Sequence, residues 1–80
     1  MYYVYLIRST SHLDRTYVGF TEDLRARLKV HNEGGASYTR RFTPWEIVSY
    51  HAFECEERAH EFEKYLKSGS GRAFAQRHFW

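Results

Sequence analysis

Apolar and polar positions along the chain fall into blocks with two different periods. Tyr2–Ile7 (YYVYLI) has no polar alternation, which predicts a strand covered on both faces. Arg8–Arg15 is polar and turn-like. Thr16–Phe20 (TYVGF) is a second β-rich run, and the short link predicts an antiparallel hairpin with the first. Gly19 within that run marks a bulge or a close backbone approach. Thr21 stands at a helix N-cap position ahead of Glu22 and Asp23, predicting a helix from Glu22 to Asn32 that ends at Gly34 or Gly35. Ala36–Trp45 reads as a basic, aromatic loop, and Glu46–Phe53 as a third strand. Glu56–Lys67 reads as a second helix with Ala59, Phe62 and Leu66 on one stripe. Ser68–Gly71 breaks that helix, and Ser70 is placed to cap a terminal helix reaching about His78. The order ββαβα(α) predicts an α+β fold, a three-stranded antiparallel sheet flanked by helices. At 80 residues, one domain over 1–80 is expected.

Composition sharpens this picture in four ways. Seven Tyr, six Phe and two Trp offset the thin core of so short a chain, because aromatic side chains bury the most area each. The lone Cys55 excludes an internal disulfide and a CxxC zinc site, which fits a reducing compartment, and a cytoplasmic location is expected. The longest apolar run is far below the ~20 residues of a membrane helix. No signal peptide is evident, so no membrane partner is expected. The net charge of +2 is unevenly spread. Residues 46–67 are acidic, while the segments before and after are basic. Most of the basic residues are Arg, the side chain suited to bidentate phosphate contacts.

Candidate chemistry lies where helical faces turn inward. Leu24 and Leu28 set the core direction of the first helix. At ~100° per residue, Arg27 and His31 flank that direction while Arg25 and Lys29 face solvent. By periodicity alone, Arg27 snorkels and His31 satisfies a backbone carbonyl. Glu63 sits at the margin of the second helix's apolar stripe. A half-buried carboxylate there wants a cation, either Arg27, another Arg or a metal ion. Alternation places Tyr3 with Tyr5 on one face of their strand, and Tyr17 with Gly19 on one face of theirs. Each of these residues taken singly is ordinary core or surface chemistry.

Their ordered combination is specific. Tyr3-Val4-Tyr5, then Tyr17-Val18-Gly19 after a polar turn, then Arg27, His31 and Glu63 on successive helices, resembles the GIY-YIG nuclease superfamily. The segments TEDLRARLKVHNEG (21–34), YTRRFTPW (38–45) and EKYLKSGSGR (63–72) are similar to its compact standalone bacterial branch. The resemblance runs over residues 2–72. It implies a divalent-metal-dependent endonuclease that hydrolyses phosphodiester bonds in DNA. In that reading Tyr17 positions or deprotonates the attacking water with Tyr5 beside it, and Arg27 neutralises phosphate charge. His31 orients or shares the Tyr17 proton or contacts the phosphate, and Glu63 anchors Mg²⁺, with Mn²⁺ as a substitute. An unperturbed phenol has a pKa near ~10, so Tyr17 acts as a base only beside a cation. Tyr3 and Val4 replace the Gly and Ile of the first motif. The family's Asn after the metal-binding helix is absent; Lys67, Ser68 or Ser70 stands in that stretch.

For substrate grip, Arg40 and Arg41 beside Tyr38 and Phe42 pair phosphate charges with stacking surfaces, and Lys67, Arg72 and Arg77 extend the basic track. Alternatively, Tyr38 and Phe42 simply pin the loop to the core. So small a module has little surface for long-sequence recognition, which favours single-stranded or branched DNA. A monomer with no small-molecule cofactor is expected. Two other readings stay open: a catalytically silent nucleic-acid-binding module of the same fold, and a protein-interaction domain resting on surface Tyr and Trp.

Overall fold

A computed structural model describes all 80 residues. Its elements are β1 (Tyr2–Ser9), β2 (Thr16–Thr21), α1 (Leu24–Asn32), a 3-10 turn (Thr39–Phe42), β3 (Trp45–Phe53), α2 (Glu56–Leu66) and α3 (Gly69–His78). The uninterrupted apolar run makes β1 the centre of the sheet. β2 and β3 pair with it antiparallel on either side, in the order β2-β1-β3. Val4, Tyr5, Leu6 and Ile7 are all buried, as a strand covered on both faces requires.

Alternation along β1 divides the interior into two cores. Val4 and Leu6 face α2 and α3, packing with Ala59, Leu66 and Ala75. Tyr5 and Ile7 face the opposite side and pack with Trp45, Tyr17, Leu24, Leu28 and Phe42. The molecule is thus a sheet between two helical layers. Its edge strand β2 is where side chains from both layers can meet.

The element boundaries depart from expectation where local hydrogen bonds decide them. Asp23, not Thr21, caps α1: its carboxylate accepts from the Ala26 amide at 3.1 Å. The Thr21 hydroxyl instead accepts from the Asp23 amide, which keeps residues 21–23 out of the helix. The α1 terminus is as read, with Gly34 at φ +78° beyond it. The break between the two helices falls at Lys67–Ser68, and Ser68, not Ser70, caps α3 by accepting from the Gly71 amide, so Gly69–Gly71 already lie within α3. Gly71 lies against the backbone at Tyr65, and a Cβ there would overlap the Tyr65 carbonyl. β1 reaches Ser9, two residues beyond the apolar run, because Arg8 and Ser9 still pair with β3.

Candidate active site

The site begins with the register of the hairpin. Tyr5 is paired with Gly19 and Ile7 with Tyr17, so Tyr5 and Tyr17 are diagonal neighbours on one face. Their ring centroids are 6.3 Å apart. A Cβ on Gly19 would run into the Tyr5 hydroxyl and ring carbon, so the missing side chain is the space the phenol occupies. This is the close approach that the glycine in TYVGF announced.

α1 lays Arg27 and His31 against that face. The Arg27 Nε–H donates to the Tyr5 hydroxyl at 3.3 Å. His31 Nε2 is 2.8 Å from the same oxygen, and its Nδ1 is 2.6 Å from the Thr39 hydroxyl. His31 is entirely buried, as are Thr39 and, but for 3%, Tyr5. Burial pushes the Tyr5 pKa above the usual phenol range, with Arg27 opposing the shift. Burial and the adjacent Arg27 charge both lower the His31 pKa, so the ring is neutral. The bond to Tyr5 raises the Arg27 pKa further, so its charge is permanent. His31 therefore bonds two side chains and not a backbone carbonyl. Its hydrogen bond is to Tyr5, while Tyr17 meets the imidazole only by an edge contact with centroids 5.2 Å apart.

Glu63 approaches from the other layer, on α2. Its side chain is one-fifth exposed, the half-buried carboxylate expected at the stripe's margin. Its partners are on its own helix, and Arg27 is not among them. Lys67 Nζ donates to it at 2.9 Å, and His60 lies 3.6 Å away. The same Lys67 ammonium sits 5.8 Å from the centre of the Tyr17 ring. The Glu63 charge is near enough to Tyr5 to oppose ionisation of that phenol. Glu63, Lys67, Tyr17, Tyr5 and Arg27 thus gather around β2, whose edge position lets both helical layers reach the same space.

Glu63 is the one carboxylate in this gathering, and no group of three or more His, Cys, Asp or Glu is arranged to hold a metal ion. A thiolate or imidazole metal centre does not fit this donor set. Mg²⁺ does, since it commonly binds through one or two carboxylates and completes its shell with water and phosphate oxygens.

The predicted binding residues separate into two surfaces with Tyr38 between them. On one side, Arg40 and Arg41 line a shallow hollow with Arg15 and Phe42. On the other, a groove of about 740 Å³ holds Lys67 and Arg72 together with Arg8, Tyr17, Gln76 and Trp80. Tyr38 is 44% exposed and stacks on Tyr17 at 6.0 Å, so it extends the tyrosine row outward. Phe42 is half-buried against the Trp45 core and carries Arg15 over its ring at 4.8 Å, so it does pin the loop. Arg77 is exposed and lines neither surface.

Several contributors carried no signal in the sequence. Thr39 sits in a loop reading, yet its hydroxyl completes the His31 hydrogen bonds and its carbonyl accepts from the Trp45 indole at 2.7 Å. Asn32 pairs with the backbone of Trp45 through both amide atoms, tying the end of α1 to the start of β3. Arg8 donates to the Trp80 carbonyl at 3.1 Å and lies 5.7 Å from its ring. Only Asn32, four residues after Leu28, lies where spacing could have placed it on the side of the helix that meets the sheet.

Comparison with known proteins places the chain. The family model for the GIY-YIG catalytic domain matches residues 1–76. A UPF0213 protein of Clostridium perfringens (strain 13 / Type A) is 38% identical over 68 residues, covering 84% of this chain and 71% of its own. A UPF0213 protein of Haloquadratum walsbyi is 34% identical over 71 residues, covering 82% and 78%. The solution NMR structure of the UPF0213 protein BH0048 from Bacillus halodurans matches with a TM-score of 0.57 at 35% identity, over 96% of this chain and 82% of that one. A family match over nearly the whole chain, joined by relatives and a solved fold of the same kind, shows that this chain belongs to the GIY-YIG catalytic-domain family.

Proposed function

We propose that residues 1–80 act as one divalent-metal-dependent endonuclease unit that hydrolyses phosphodiester bonds in DNA. The domain is of a nuclease-type fold. The observation that carries the reading further is the meeting of Tyr5, Tyr17 and Arg27 with Glu63 around the edge of β2. Phosphodiester hydrolysis needs charge neutralisation at phosphorus, a positioned nucleophile and a stabilised leaving oxygen. Arg27 supplies the permanent cation. Its Nε is committed to Tyr5, which orients the guanidinium and leaves its terminal nitrogens for phosphate oxygens. Tyr17 lines the open groove beside Lys67, where it can position the attacking water. Glu63 would hold Mg²⁺, which when bound would neutralise phosphate charge and favour departure of the leaving oxygen.

The cations around Tyr38 support a single-stranded or branched substrate. They form two short surfaces on either side of an exposed ring, a layout suited to a strand whose bases stack as it turns. Of Lys67, Ser68 and Ser70, the residues in the stretch that lacks the family Asn, Lys67 is the one that touches Glu63.

One observation favours a second reading, the catalytically silent nucleic-acid-binding module. The Lys67 ammonium already satisfies Glu63 at 2.9 Å, so a metal ion must share or displace it. A gel cleavage assay separates the two. Labelled single-stranded, duplex and branched DNA, and a matched RNA, are incubated with Mg²⁺, Mn²⁺ or EDTA. Metal-dependent products are expected on single-stranded or branched DNA. Binding without products in every metal lane would establish the silent module.

A further inference from the structure

The hydrogen bonds around His31, taken with the burial of its two partners, bear on where its single proton lies. The imidazole is buried and neutral, with one partner at each nitrogen: Tyr5 at Nε2 (2.8 Å) and Thr39 at Nδ1 (2.6 Å). The Thr39 hydroxyl is equally buried and makes no other hydrogen bond. If Nδ1–H donated to it, the hydroxyl hydrogen would be left orphaned in the interior, a costly state. The opposite tautomer, with Thr39 donating to Nδ1 and the imidazole proton on Nε2, moves the unpaired hydrogen to Tyr5. Tyr5 is not wholly sealed (3% exposed) and borders the half-buried Arg27, so water or substrate can accept the hydrogen there and this tautomer costs less. Nε2–H then donates to the Tyr5 oxygen.

That oxygen already receives the Arg27 Nε–H. With two donors on its lone pairs, the Tyr5 hydroxyl has its own hydrogen left over and no protein acceptor for it. Burial keeps this phenol protonated, with a pKa above the usual range. The hydrogen is therefore available to an acceptor entering the space between Tyr5, Tyr17 and Arg27. The Trp45 indole, bonded to the Thr39 carbonyl at 2.7 Å, keeps Thr39 in place.

We propose that Thr39 is a positioning residue: by donating to His31 it holds the Nε2–H tautomer, and through that ring it directs the Tyr5 hydroxyl as a hydrogen-bond donor toward a phosphate oxygen of the substrate. The part concerning substrate rests on the nuclease reading. The direction of the hydrogen-bond chain does not, and it gives Tyr5 the task of donating to the phosphate, distinct from any base role at Tyr17.

The test reads the tautomer directly. Nitrogen-15 NMR of the folded protein shows which imidazole nitrogen carries hydrogen, with His31→Gln identifying the signal among the five histidines. The proton is expected on Nε2 in wild type and in Thr39→Ser, which keeps the hydroxyl. In Thr39→Val, which keeps the shape and removes it, the Nε2–H preference should be lost. The same change should lower kcat by roughly 10- to 100-fold with KM within about twofold, as misorientation of a single group does. A proton on Nδ1 in wild type overturns the proposal. So does a Thr39→Val protein with wild-type tautomer and wild-type kcat. The wild-type and Thr39→Ser spectra decide the tautomer even where Thr39→Val does not fold. An Nε2–H spectrum in a protein that cleaves no substrate supports the hydrogen-bond chain and overturns the nuclease reading alone.

Discussion

At the scale of single residues, charge and protonation separate the site's members. Arg27 and Glu63 lie half-buried at the margins of the apolar faces of their helices, not in the packed centre, so their removal should spare the fold. Arg27→Ala and Glu63→Gln should each lower the cleavage rate by roughly 100-fold or more, the loss expected when one group stabilising transition-state charge is removed. Far-ultraviolet circular dichroism should be unchanged and the gel assay should read the loss. Wild-type cleavage by either variant would take that residue out of the mechanism. The histidines give a second expectation. His31 and His51 both have pKa values lowered by burial, so the native state resists protons that the unfolded chain accepts. Stability is then full above the unfolded value of about 6.5 and declines as pH falls through it toward the lower folded values. Urea midpoints should drop between pH 7.5 and pH 5. His51→Phe, placed among Phe62 and Phe79, should show a smaller drop than wild type, and an equal drop would remove His51 as a source.

At the scale of elements, the hairpin and the helix caps decide the local geometry. Gly19 faces Tyr5 across the β1–β2 pairing, and the Tyr5 ring occupies the volume where a Cβ would stand. Gly19→Ala should destabilise by about 1–3 kcal/mol through overpacking and break the Tyr5–His31 bond, so activity should fall more than stability does. Urea denaturation set beside cleavage rates tests this; an active, fully stable variant would show that the phenol can move aside. Gly19 and the inward faces of both helices were legible because alternation and helical period place residues on faces without knowledge of partners. The caps were less so. Thr21 and Asp23 are both acceptable N-caps, and Ser68 and Ser70 likewise, so the choice fell to which backbone amide each side chain actually reaches.

At the scale of the whole molecule, the cations sort by the surface they share and not by their place in the chain. Arg8, Lys67 and Arg72 come from β1, the end of α2 and the start of α3, and meet in one groove with Trp80. Removing Arg8 or Arg72 should weaken binding to oligonucleotides of any sequence. The slope of log affinity against log salt should become shallower by about one for each phosphate no longer neutralised. Fluorescence anisotropy across a salt series reads both. An unchanged slope in both variants would place the strand elsewhere, along Arg40 and Arg41. Arg77, basic in sequence and outside both surfaces, serves as the control and should leave affinity unchanged.

The sequence by itself determined the order of elements, the doubly covered central strand, the inward Arg27 and His31, and the marginal Glu63. Each of these follows from an unbroken apolar run or from a period of two or 3.6 along a contiguous stretch, which is local information. Its resemblance to GIY-YIG nucleases, carried by short ordered motifs, agrees with the family that the comparisons show. The Glu63–Lys67 pair is a local contact four residues apart on one helix, whereas the tertiary structure alone decided the partners of the other polar groups: His31 with Tyr5 and Thr39, Asn32 with the backbone of Trp45. The physical reason is that a side-chain hydrogen bond depends on positions brought within about 3 Å by the packing of distant segments. Thr39 lies eight residues from His31 in a loop with no period to read, and only the fold turns its hydroxyl inward.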